Sequence, residues 1–488
     1  MLDSARGTGP VFTQIQSSHG SGKQRHQRET KTMTKLWTGA IAATVICIWG
    51  LGDSRPVAAA ELPAATVKML QKLKLSPDIL KGLDQELKIP AAWVAGAKKE
   101  GPLKLGGTWD AEQFENMVKP LLERYPFIKI KYARATSYDR VIKPLMAFRT
   151  GRVITDVISG VGSKFSLFKK YDAAIDLRIL PNWKNVPDGM KHPQGLWVGQ
   201  RLRYWCMAYN TNKVAKKDLP RTWEDLYANK RWHGKKIGLG NRPNLWLLPL
   251  MGLKGEPWTK DFTRKLFGTI KPQLRKEGMN ALIALVIAGE FDMSLPSAAY
   301  RTAQRLAKGA PVGWHCPVPI PLAISEMLIV KGTKKLNTAL IYVNWFLSKE
   351  GQISQFAANK APPVHRDLQT NNFLSFPDQI VGKETAFRHP ELMERDLPKL
   401  MKFWDPMWFG GRGLTLTTVR AKITKIKRGG RRVSFKVGGK THTVKVSGSR
   451  TKITVKGAES DRRGVKAGMT CDITYPGNKE EAKKIACM

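Results

Sequence analysis

Residues 100–160 run EGPLKLGGTWDAEQFENMVKPLLERYPFIKIKYARATSYDRVIKPLMAFRTGRVITDVISG, and this stretch decides the fold. The short apolar run 103–106 breaks at Gly106-Gly107, as a buried strand running into a loop does. Asp110 stands where a helix N-cap belongs, and Phe114, Met117, Val118, Leu121 and Leu122 follow at helical spacing over 111–125. Pro126 blocks continuation, and 128–132 is a second strand. A second helix over 138–149 leads through Gly151 to a third strand at 155–159. Strand, helix, strand, helix, strand predicts an α/β fold with a parallel sheet and right-handed crossovers. Such sheets bind ligands beyond the C-terminal strand ends, here 108–110, 135–138 and 160–163.

Working outward, 488 residues allow two or three domains with ample core. The 82 Lys+Arg against 39 Asp+Glu leave a net charge of +43. Such a field favours anionic partners: nucleic acid, anionic lipid, a cell-surface polymer or a negatively charged solute. The plain alternative is a solvated basic surface. Charge on this scale governs encounters and not the fold.

Residues 1–32 are polar and lack an apolar period. From Met33 a better export signal begins: Lys35, an apolar run over 36–51, then Ala58-Ala59-Ala60, which fits a cleavage site before Glu61. Ile46 precedes Cys47 where a lipobox needs a small residue, so the expectation is a signal peptide, export to the periplasm and no lipid anchor. The run 281–288 is too short to span a bilayer. Residues 61–92 form a helical extension carrying Leu70, Leu73, Leu80, Leu83 and Leu87.

Further on, 165–177 has an amphipathic helical pattern, and 197–212 (WVGQRLRYWCMAYNTN) alternates as a strand. Thr222 caps a helix with Asp225 completing a capping box. Strands are expected at 235–240 and 289–295, and one long amphipathic helix over 337–358. Pro362-Pro363 ends that unit, and 364–410 is an aromatic-rich return tail. A Gly-rich linker at 410–413 leads to 414–488, where short Val/Ile/Thr alternations between Gly turns predict a small all-β barrel or sandwich. It carries 19 Lys+Arg against 5 Asp+Glu, and it distantly resembles the OB-like domains appended to many exported bacterial proteins. Of the cysteines outside the signal, Cys471 and Cys487 share this domain and enclose 15 residues. A bridge there would contribute about 3 kcal/mol in the chain-entropy model.

The order KKEGPLKL, WDAEQFENMVKPLLERYPFIKIKY and RTGRVITDVIS, with GEFDMSLPSAAYR at 289–301 and FLSKEGQ at 346–352, resembles the periplasmic solute-binding proteins of ABC importers. Within them it is most similar to the branch that includes the ferric-iron binders. The resemblance covers 93–408 and implies a type II two-lobed fold, with lobe 1 at 93–205 plus about 325–410 and lobe 2 at 206–324. It further implies hinge crossover strands near 197–212 and 312–330, a single copy working with a membrane permease, and no catalysis. Cys206 and Cys316, one in each crossover stretch, are then also candidates to pair; four buried free thiols is the alternative.

No catalytic motif stands out: G-x-S-x-G, H-E-x-x-H, a P-loop and a strand-borne G-x-G-x-x-G are absent, and the eight His are scattered. No cofactor is expected beyond a transported ligand. The iron-binding relatives place two adjacent tyrosines after the strand that here reads GEFDMSL; this chain has Ala299-Tyr300, so one phenolate remains for ferric iron. The competing ligand set is Trp109, Asp110, Tyr138, Arg140, Ser163, Tyr204, Asn241, Arg242, Tyr300 and Arg301. Aromatic walls, amides and guanidinium forks suit an organic solute bearing a carboxylate or phosphate. Backbone N–H groups of 160–163 at a helix start could hold the same anion. Taken singly, Arg140 and Arg301 would be solvated helix arginines, Asp110 a cap, and Trp109 or Tyr204 lobe packing. The basic C-terminal domain could tether to an anionic cell-envelope polymer, although only Phe435 and Tyr475 offer aromatic faces for stacking.

Overall fold

The computed structural model describes residues 62–135, 137–448 and 450–488, apart from the side chain of Ser163. The signal segment and its cleavage site lie outside the described residues. Among the described residues no helix is long and apolar enough to cross a membrane.

The stretch that set the expectation forms β1 (Leu103–Gly107), a helix at Ala111–Arg124, β2 (Ile130–Arg134), a helical segment from Tyr138 to Phe148 and β3 (Val157–Ser159). Strand β1 pairs in parallel with both β2 and β3. The chain continues through β4 (Val198–Asn210), β5 (Ile237–Gly240), β6 (Gln273–Arg275), β7 (Met293–Ala298), β8 (Val312–His315), β9 (Ile320–Ile329) and β10 (Thr385–Arg388). The strand order is β2-β1-β3-β9-β4-β7-β5-β6, with β10 on β9 and β8 on β4. Two parallel halves, β2-β1-β3 and β7-β5-β6, are thus joined by the antiparallel pair β4 and β9. Strand β4 pairs with β9 over 198–204 and with β7 and β8 over 205–210, so it leaves one lobe and enters the other. Every residue of β9 is buried, as expected of a strand covered on both faces. Cys206 and Cys316 are disulfide-bonded at the crossover, with Cα atoms 5.3 Å apart.

Helices Ala64–Leu73, Leu83–Leu87 and Ala91–Lys99 pack on lobe 1, where the Ala65 amide donates to Glu123 and the Asn344 side chain donates to the Glu86 carbonyl. The expected long helix over 337–358 is two helices, Leu336–Phe346 and Lys349–Asn359. Ser348 caps the second by accepting from the Gly351 amide at 3.2 Å, which starts a new helix instead of extending the old one. The 165–177 helix stops at Lys170, because its last turn opens into a loop before Leu177–Ile179. The tail divides between lobes. Strand β10 pairs with β9, whereas the helix Leu397–Gly410 lies on lobe 2, with Trp404 against Trp246 at 6.2 Å. Aromatic packing, silent in the sequence as to partner, sends that helix across.

Residues from 417 build a separate sheet with its own core: β11 (Thr417–Lys427), β12 (Arg432–Val437), β13 (Lys440–Lys445), β14 (Lys452–Val455), β15 (Ala458–Glu459), β16 (Thr470–Tyr475) and β17 (Lys484–Cys487). The order is β13-β12-β11-β16-β17-β14-β15. Cys471 and Cys487 stand opposite each other on β16 and β17 and are disulfide-bonded.

Candidate functional site

Strand β1 ends in Gly106-Gly107, and the chain then turns through Thr108 and Trp109 into the capped helix at Ala111. Trp109 is fully buried, its carbonyl accepting from the Tyr132 hydroxyl at 2.8 Å and its ring packed on Phe114 and Phe346. Behind this loop runs β4, whose alternation turns Arg201, Arg203 and Trp205 to one side and Tyr204 to the other.

Arg201 is buried and stacks over the Trp109 ring at 4.9 Å, with Nη2 donating to the Thr108 hydroxyl at 2.8 Å. Among the described residues its Nε has no partner. Arg203 lies over the Trp205 ring at 5.6 Å and donates from Nη2 to the Ile324 carbonyl at 3.2 Å; among the described residues its Nε also lacks a partner. In register, Ala323 of β9 is flanked by Arg203 of β4 and Arg388 of β10, so two guanidiniums leave neighbouring strands together. Arg388 is buried and donates to the Asn244 carbonyl at 3.1 Å. Arg140, also buried, uses Nε and Nη2 on the Gly160 carbonyl at 3.0 and 2.8 Å. Gly160 holds φ +85°, and a side chain there would meet Thr108 and Arg140.

From lobe 2, Tyr300 and Arg301 open the helix Ala299–Leu306. Tyr300 has Arg201 at 5.8 Å from its ring and Trp205 edge-on at 6.5 Å. Arg301 donates to Asp110 at 3.0 Å, and Arg134 reaches the other oxygen of the same carboxylate at 2.7 Å. Asp110 is therefore neutralised as well as capping its helix, and it ties the first loop of lobe 1 to lobe 2.

The electrostatics follow from this crowding. Burial, with the charge of Arg203 adding to it, depresses Arg140, Arg201 and Arg388 to about 10, so all stay charged at neutral pH. Burial raises the Tyr300 phenol, but the guanidiniums of Arg201, Arg301 and Arg203 outweigh it and hold the group below the usual tyrosine value. Glu326 is the buried carboxylate that faces Arg140 and Arg388. The Trp109 and Trp205 indole N–H groups are buried without a partner too. Buried orphan donors are rare in native proteins and call for an explanation. Among the described residues four such donors belong to Arg201, Arg203, Trp109 and Trp205, which pack on one another and on Tyr300. The arrangement suits a ligand rich in anionic acceptor oxygens.

The sequence-derived candidates divide accordingly. Trp109, Asp110, Arg140, Tyr300 and Arg301 come together around Arg201 and Arg203. Tyr204 faces away, its hydroxyl buried in packing. Asn241 is occupied structurally, accepting from the Trp404 indole at 2.8 Å. Tyr138 and Arg242 turn toward the C-terminal sheet, where Asp461 and Glu481 face them. The backbone of 160–163 is committed internally: the Gly162 amide donates to Glu326 at 3.0 Å and the Gly160 amide to the Glu326 carbonyl at 2.6 Å. The Ser163 side chain lies outside the described residues. Arg201, Arg203 and Arg388 were missed. Two arginines two apart in a strand that must cross the core were the available signal in RLRYW.

Two parallel lobes joined by a two-strand crossover, with polar groups gathered at facing strand ends, define the type II two-lobed periplasmic-binding-protein fold. Residues 164–379 match the family described as bacterial extracellular solute-binding protein. Iron uptake protein A2 of Synechocystis is 31% identical over 122 residues, 24% of this chain and 34% of that protein, so the match spans about a third of the curated relative. Iron-bound HitA of Pseudomonas aeruginosa superposes with a TM-score of 0.53 at 18% identity, covering 63% of this chain and 99% of that one. Trichodesmium FutA in complex with iron and citrate gives 0.52 at 18% identity, with coverage of 63% and 99%.

Proposed function

We propose that the protein is a periplasmic, non-catalytic receptor that closes on an anionic solute and delivers it as a monomer to an ABC permease. The observation that carries this reading is the guanidinium cluster at the lobe junction: Arg201 and Arg203, each with an Nε unpartnered among the described residues, stand beside Arg140 and Arg388, with Tyr300 and Arg301 arriving from lobe 2. A charge buried without a partner is costly, and an acceptor-rich anion would compensate it. Closure by hinge motion about β4 and β9 would bring both lobes onto the solute.

The lowered Tyr300 phenol favours a second form of the same reading, in which the anion arrives with ferric iron. Bare ferric iron fits poorly. Two unit charges 4 Å apart interact by about 4 kcal/mol at an effective dielectric of 20, and three guanidiniums would repel the metal. An anionic ferric chelate with one phenolate donor meets both constraints. Another reading concerns the C-terminal sheet, where Lys427, Arg432 and Lys445 stand opposite one another across β11, β12 and β13. Like charges in register are destabilising, and an anionic cell-envelope polymer would relieve them.

The test is a thermal-shift series on metal-free protein with citrate, phosphate and ferric citrate. A ligand at a hundredfold excess over Kd adds about 2.7 kcal/mol. A shift with citrate or phosphate that R203M abolishes supports the anion reading. A visible phenolate-to-iron band with ferric citrate, lost in Y300F, supports the chelate. No shift with any of the three, with retention on heparin that salt abolishes, supports the polymer.

A further inference from the structure

The C-terminal sheet is strongly basic, yet its few acids are not spread at random. Of the five carboxylates in 414–488, four lie against the solute-binding lobes. Glu459 pairs with Lys164 at 3.0 Å, just past β3. Asp461 accepts from the Tyr138 hydroxyl, just past β2, and the neighbouring Arg463 reaches Asp139 at 4.0 Å. Glu480 binds Lys276 at 2.6 Å, immediately after β6, and Arg412 at 3.2 Å. Glu481 and Arg450, paired with each other, both face Arg242 just past β5.

These four attachment points share one property: each follows the C-terminal end of a parallel strand. Two belong to lobe 1 and two to lobe 2. Strand ends are where sheets of this kind admit ligands. The domain's hydrophobic core is a cluster distinct from that of the lobes, and the contacts above are polar, which is the character of an interface that can part. Its carboxylates rest on cationic and phenolic groups just past those strand ends.

We infer that the C-terminal domain is a roof over the solute entrance, fastened by ion pairs to the strand-end loops of both lobes, and that solute exchange waits on its release. Opening the lobes about β4 and β9 would separate Lys164 from Lys276 while Glu459 and Glu480 stay on one rigid sheet. One set of pairs must therefore break. High salt, which shortens electrostatic reach to about 3 Å at 1 M, should loosen the roof.

The full-length chain carrying E459Q, D461N and E480Q tests this by hydrogen–deuterium exchange. The expected result is at least tenfold faster exchange in 138–142, 162–164, 241–243 and 274–277 than in the wild type, with the β11–β16 ladder still protected. Unchanged exchange in the loops of either lobe overturns the roof. Should the variant unfold the domain, exposing that ladder, wild-type protein compared at 0.05 and 1 M salt gives the same test with the same two outcomes. This measurement uses no solute, so its result is independent of the anion reading. Once citrate has shifted the melting temperature of the wild type, its association rate in stopped-flow tryptophan fluorescence should rise at least tenfold in the variant; an unaltered rate then also overturns the inference.

Discussion

Two regions of lobe 1 bury full charges, and they do it in opposite ways. Glu350 is wholly buried, and all of its acceptor capacity is used: Arg124 binds both oxygens at 2.8 and 2.9 Å, the Trp345 indole donates at 2.8 Å, and the Thr66 hydroxyl donates as well. Around Arg201 and Arg203 the guanidiniums outnumber the carboxylates, and four nearby donors have no partner among the described residues. A charge that the chain itself satisfies is scaffold. A charge it leaves wanting is a site, because natural cores rarely tolerate such groups without a further partner.

The comparison predicts opposite responses to mutation. Removing one partner of a satisfied buried pair leaves the other uncompensated, so E350A should lose about 3–5 kcal/mol by urea denaturation of the lobes. A loss below 1 kcal/mol would show that Glu350 is not the hub its bonds imply. R203M removes a cation that already lacks compensation. Its stability in ligand-free protein should stay within about 1 kcal/mol of wild type, because Arg203 is only half-buried and one hydrogen bond is lost. Citrate binding by calorimetry should instead weaken about tenfold to a hundredfold, the equivalent of one charge-assisted hydrogen bond of about 1.5–3 kcal/mol. Destabilisation like that of E350A with affinity intact would erase the distinction between the two regions.

How far the sequence carried this is plain from the same residues. The parallel β1-β2-β3 unit, the capping at Asp110 and the Thr222–Asp225 box, where the hydroxyl and carboxylate meet at 2.8 Å, were legible because each depends on neighbours in the chain. So was the family order, and FLSKEGQ now has a physical basis: Ser348 caps a helix, Glu350 is the hub, and a side chain on Gly351 would collide with the Trp345 carbonyl at 2.3 Å. That motif marks scaffold. The site was half legible. Strand-end position picked out Trp109, Arg140 and Tyr300, but Arg203 and Arg388 meet only through strand register across Ala323, which no local pattern encodes. Tyr138 and Arg242 were at the right strand ends and still diverted, because a separate domain supplies their counter-charges.

The smallest effect sharpens the comparison through Tyr300. Its folded pKa lies below the ordinary value near 10, since three guanidiniums outweigh burial. A depressed acid pKa stabilises the fold fully only above the unfolded value and ceases to do so as pH falls through the folded one. Tyr300 ionisation therefore adds nothing at neutral pH and something only in alkali. Near-ultraviolet titration should show one tyrosine ionising ahead of the other nine, and Y300F should remove that early step. R201M and R203M, each deleting one of the guanidiniums, should shift it upward, whereas R124M, on the Glu350 side, should leave it where it is. If the early step survives in Y300F, the positive potential is centred on another phenol, and the site built around Arg201 must move with it.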